Sequence, residues 1–62
     1  MKRYVTFYDT TKNTFILAKR EIYTSKYEGF FGIKEGLIRN EQIFNTRDEA
    51  IKSLKNSNYE EV

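Results

Sequence analysis

The sequence predicts an α+β fold: an antiparallel sheet of three to five strands with one C-terminal helix packed on one face. Three observations carry this expectation. Two early runs are rich in β-branched and aromatic residues, "RYVTFY" (3–8) and "TFILAKREIYT" (14–24). The segment between them, "DTTKN", is polar and turn-forming. Only the stretch after residue 45 joins a helix cap to apolar residues at helical spacing. With 62 residues and no internal repeat, the chain reads as a single small binding domain spanning 1–62, near the lower limit for folding without staples.

In the first strand, Val5 and Phe7 fall on one side and Tyr4, Thr6 and Tyr8 on the other. The loop starts with Asp9 and ends with Asn13, a residue that tolerates positive φ. "YDTTKNTF" resembles the second hairpin of immunoglobulin-binding domains of the protein G type, and that resemblance implies a hairpin alone. The second strand begins apolar and turns charged. "GFFGIKEG" (29–36) opens a third, with Gly36 offering a turn. "LIRN" either extends that strand or connects it to a short fourth one, "EQIF".

The helix follows. Thr46 is its N-cap and Glu49 completes a T-x-x-E capping box, while Asp48 complements the positive end of the helix dipole. Ala50, Ile51 and Leu54 make one apolar face, Lys52 and Lys55 point outward, and "NSN" (56–58) ends the helix. The tail "YEEV" either adds a last short strand or frays. The expected core is Val5, Phe7, Phe15, Leu17, Phe31, Ile33, Phe44, Ile51 and Leu54.

Composition removes most chemistry. Without cysteine there is no disulfide, thiolate nucleophile or thiolate-bound zinc, and without histidine the commonest general base and metal ligand is missing. The carboxylates lie mostly singly, and Asp48 and Glu49 already serve the helix start. Ser25 and Lys26 adjoin, but no further element of a Ser–Lys hydrolase is present. The glycines match no phosphate-loop pattern. The expectation is therefore no enzyme, no metal and no cofactor. No apolar run approaches the roughly 18 residues of a membrane span, and the basic start "MKRY" leads into no apolar leader. A soluble protein of the reducing cytoplasm, with no membrane partner, is expected.

One helix covers one face of such a sheet, so the other face is expected to meet water, a ligand or a second copy. Ten aromatics, five Tyr and five Phe, exceed what a small core uses, which leaves Tyr4, Tyr8, Tyr23 and Tyr27 as candidates for that open face or its rim. Lys19, Arg20 and Lys26 are near them in sequence. Tyrosine among cations suits single-stranded nucleic acid, since rings stack on bases and cations meet phosphates. The same composition also describes a solvated sheet face or a protein-docking patch. The net charge of +2, eleven basic against nine acidic residues, permits phosphate contact without requiring it. Abundant Ile, Lys, Asn, Phe and Tyr is a usage common in A+T-rich genomes and their phages.

From Phe30 onward the chain resembles the hybrid-binding (viroplasmin-like) domain found in many ribonucleases H. "FFGIKEG" stands for that family's first aromatic strand, "QIFNTRDEA" for its second strand and helix start, and Tyr59 and Val62 for its closing segment. The resemblance implies backbone recognition of RNA–DNA hybrid. It places Arg47 where the family has its helix-start tryptophan and Lys34, Glu35 and Gly36 at its basic turn. The N-terminal hairpin, residues 2–24, has no counterpart in that module.

The expected nucleic-acid-binding residues are thus Arg47, Lys52, Lys55 and Lys34, with Lys19, Tyr4 and Tyr8 on the sheet. The alternative is a phage-type accessory protein that binds and modulates a host protein through a tyrosine-rich sheet face. A third possibility is a homodimer pairing its own faces or edges.

Overall fold

The computed structural model describes residues 2–28 and 36–62. Strands β1 (Tyr4–Asp9) and β2 (Thr14–Lys19) form a hairpin. A short α1 (Arg20–Tyr23) runs into a π-helical turn, Thr24–Glu28. Strand β3 (Ile38–Phe44), helix α2 (Arg47–Leu54) and strand β4 (Tyr59–Glu61) complete the order. The sheet order is β3-β1-β2-β4.

This is an α+β fold, but the sheet is mixed. β1 is antiparallel to both β2 and β3, whereas β4 is parallel to β2. The expected all-antiparallel sheet fails for a topological reason. Helix α2 carries the chain back along the sheet, so the strand after it runs in the same direction as the strand before it. Such a helical crossover is the connection that parallel strands require.

Register assigns the two faces. Val5 lies opposite Ala18 and Phe7 opposite Ile16 on one face; Thr6 lies opposite Leu17 on the other. Val5, Phe7, Ile16 and Leu17 are all fully buried, and Thr6 and Ala18 nearly so. Burial of consecutive residues on β1 and β2 means that both faces are covered. On the first, Tyr23 and Tyr27 set their rings against Phe7, with centroids 5.2 and 4.7 Å away. On the second, α2 packs across β1, β2 and β3, with Ala50 and Leu54 buried.

The expected single C-terminal helix with an open opposite face is therefore corrected to two helical segments, one on each face. The expected strand 14–24 stops at Lys19. Tyr23 and Tyr27 are four residues apart, a spacing that puts both rings on one side of a helix and onto Phe7 together. Tyr23 is not at an open face: it is 2% exposed. Its hydroxyl donates to a Glu41 carboxylate oxygen on β3.

The other elements follow their local signals. Asp9 Oδ1 accepts from the Thr11 amide at 2.9 Å and the Thr11 hydroxyl at 2.6 Å, and Asn13 takes φ 55°. Burial pushes the Asp9 carboxyl up, but those bonds, the Lys12 amide and the Lys12 charge outweigh it and hold it below its ordinary value. Gly36 turns with φ +74°. "LIRN" and "EQIF" contribute to one strand rather than two. Its pairing with β1 slips between Thr6 and Tyr8, where Asn40 at φ 58° forms the bulge.

At α2 the Glu49 amide donates to Thr46 Oγ1 and the Thr46 amide donates to Glu49 Oε1, both at 3.2 Å. Lys55, not one of the following asparagines, takes positive φ at the helix end. Of the expected core, Phe15, Phe44 and Ile51 are half-buried, while Ile16, Ala18, Tyr23 and Ala50 join Val5, Phe7, Leu17 and Leu54 inside. The strand expected at 29–36, with Phe31 and Ile33, lies almost wholly outside the described residues.

Candidate functional site

Two Lys–Arg dipeptides, "KR" at 2–3 and "KR" at 19–20, flank the hairpin. The antiparallel register sets Tyr4 opposite Lys19. The next step outward is closed by the Arg20 amide donating to the Arg3 carbonyl at 2.7 Å. Hairpin pairing thus gathers four cations at one end of the sheet. They line a cavity of about 640 Å³ together with Tyr4 and Glu21.

The charge there is lopsided. Four cations against one carboxylate give the described lining residues a net +3, more than the +2 of the whole chain, so the other side chains are together slightly acidic. Among the described residues, none of Lys2, Arg3, Lys19 and Arg20 is in an ion pair. Like charges held together cost Coulomb energy that a bound anion removes. Arginine offers a planar fork and lysine a point charge, and both suit phosphate oxygens. Tyr4, half-buried at the wall, presents an aromatic surface.

Beside the cavity sits a second charged group. Arg47, at the start of α2, is engaged bidentately by Glu61 on β4, with Nε donating at 2.9 Å and Nη2 at 2.6 Å. The Glu61 contact, its hydrogen bonds foremost, raises the Arg47 guanidinium above its ordinary value and lowers the Glu61 carboxyl. Glu61 pairs with Leu17, so it lies on the same sheet face as Lys19, two residues along β2. Lys19 contributes to the lowering of Glu61, and Tyr4 to the raising of Arg47.

The structure therefore brings Tyr4 and Lys19 together and places Arg47 next to them, already committed to Glu61. It puts Tyr8 at the opposite end of β1, edge-on to Phe15 and with its hydroxyl donating to Asn13 Oδ1 at 3.4 Å. Lys52 and Lys55 are exposed on the last turn and C-cap of α2. Eight residues of helix put Lys55 roughly 12 Å along the axis from Arg47. Lys34 lies outside the described residues.

Sequence reasoning missed Lys2, Arg3 and Arg20 as partners of Lys19. The signal was available: once the loop is centred on residues 10–13, hairpin pairing sets each "KR" against the other. Among the described residues no His, Cys, Asp or Glu side chains cluster as metal ligands, and no helix is long and apolar enough to cross a membrane. Comparisons with known protein families, with curated proteins and with solved structures find no match to this chain.

Proposed function

We propose that this protein is a small non-enzymatic binding module that holds the phosphate backbone of single-stranded nucleic acid in the Lys2–Arg3–Lys19–Arg20 cavity. The carrying observation is the cavity itself: four cations against one carboxylate, none of the four in an ion pair among the described residues, in a chain otherwise slightly acidic. Its volume falls within the range of pockets that take a nucleotide-sized ligand. Tyr4 supplies a surface for an unstacked base, which favours a single strand over a duplex whose bases are already stacked.

Docking to a host protein draws less support. Among the described residues, the exposed large apolar side chains Ile43, Tyr59 and Val62 are divided between β3 and the β4 end, on the two outer strands, so no one patch collects all three. Of the four tyrosines on which that alternative rested, Tyr23 is buried and Tyr4, Tyr8 and Tyr27 are half-buried.

The test is titration of a fluorescein-labelled oligothymidylate by anisotropy across a salt series, with duplex and RNA–DNA hybrid of equal length as comparators. Three to four phosphate contacts predict a log–log salt slope of about −2 to −3 for the single strand. Absence of binding to all three at low salt removes this reading.

A further inference from the structure

Arg47 stands beside the cavity and already has an anionic partner. Its fork is filled by one carboxylate in the two-point geometry that a phosphate group also satisfies. The carboxylate comes from β4, three exposed residues at the edge of the sheet. Among the described residues, few contacts besides Arg47–Glu61 hold that strand beyond its ladder: a Lys12–Glu60 pair at 3.5 Å between half-exposed side chains, a bond from the Thr14 hydroxyl to the Asn58 carbonyl, and the Val62 amide on the Leu17 carbonyl. Short exposed edges of this kind open at low free-energy cost.

We propose that Glu61 is a built-in substitute for a ligand phosphate: it occupies Arg47 in the free protein and yields it when a polyanion enters the neighbouring cavity. The inference rests on the function proposed above and adds a regulation to the same site. Arg47 is then a fifth cation held in reserve, and Glu61 weakens binding in two ways. It withholds the guanidinium, and it sets a negative charge beside Lys19 on the face where the ligand arrives. A weak anion does not displace it. A backbone with several phosphates, already held by four cations, does, because its local concentration at Arg47 is high.

The test uses the full chain and the same labelled oligothymidylate. Glu61→Gln keeps the side-chain shape and removes the charge. It should tighten binding severalfold at low salt and steepen the salt slope by about 0.7, the value of one further phosphate contact on a single strand. Arg47→Gln in the wild-type background should weaken binding less than loss of a cavity cation. In the double variant, Arg47→Gln should return the salt slope to the wild-type value and remove the larger part of the gain from Glu61→Gln. A nitrogen-15 titration of the wild type needs no variant: the Arg47 Nε–H resonance should move as oligonucleotide is added. Wild-type binding with an unchanged affinity in Glu61→Gln, a gain that survives undiminished in the double variant, or an unmoved Arg47 resonance in the bound wild type overturns the inference alone. No binding by wild type or Glu61→Gln overturns the site reading and this inference together.

Discussion

The two helical segments cover opposite faces of one sheet by different means. Helix α2 is specified largely by its own residues: Thr46 and Glu49 satisfy each other's amides, Asp48 and Glu49 fill the first turn, and Ala50 and Leu54 face inward. The α1–π segment has no side-chain cap at its start, and its four α-helical residues give way to a π turn. What holds it is remote. Tyr23 and Tyr27 lie on Phe7 of β1, and the Tyr23 hydroxyl reaches Glu41 of β3. A segment of this length is unstable alone, so tertiary contact decides its conformation. The comparison shows that a helix can be written locally or borrowed from the sheet beneath it.

Removing the sheet side of the borrowed helix should have the largest effect. Phe7→Ala takes the common support from both tyrosines and leaves a cavity in the core, a loss of about 3–5 kcal/mol. That equals the whole net stability expected of a domain this size, so the variant should be unfolded at 25 °C by circular dichroism. A cooperative melt close to that of the wild type would show that α1 is not held by Phe7.

A milder cut separates ring packing from hydrogen bonding. Tyr23→Phe keeps the ring and removes the hydroxyl that donates to Glu41, at a cost of about 1.5 kcal/mol read from urea unfolding. It also has a pH signature. Burial first, then the Glu41 bond and charge, raise the Tyr23 hydroxyl above its ordinary value. The folded state therefore favours the neutral phenol. This stabilisation is complete below the unfolded pKa of about 10 and is lost as pH rises beyond it. Wild type should lose stability above pH ~10 more steeply than Tyr23→Phe, and parallel curves would contradict the assignment.

The locally written helix should respond least. Thr46→Ala removes one half of the capping box and should cost about 1 kcal/mol without altering the α1 side. Backbone amide exchange should quicken in the first turn of α2 while the amides of Arg20–Tyr23 keep their rates. Equal acceleration in both segments would mean that the faces are coupled more tightly than their separate contacts suggest.

The same contrast explains what could be read in advance. The hairpin loop and α2 were legible because Asp9, Asn13, Thr46 and Glu49 act on neighbours within a few residues. The α1 segment was not, because "REIYTSKYE" carries both strand and helix signals and Phe7 decides between them. "FILA" held a clue: four apolar residues in succession on a strand mean burial on both sides, not one. The parallel β4 was hidden because strand direction is set by the crossover. At the site, Tyr4 and Lys19 were legible as types of residue. Lys2, Arg3 and Arg20 needed the hairpin register, and Arg47 passed for a free cation because Glu61 is fourteen residues away.

The central claim is that the hairpin-end cavity, rather than basic charge in general, takes the phosphate backbone. Two charge-matched double variants test it most directly, Lys19→Gln/Arg20→Gln in the cavity and Lys52→Gln/Lys55→Gln at the far end of α2. Oligothymidylate binding is measured for both at about 50 mM salt. The account predicts at least about a tenfold loss and a salt slope flatter by about 1.4 for the cavity pair, with the helix pair close to wild type. Equal losses in the two variants, or a larger loss in the helix pair, would contradict it.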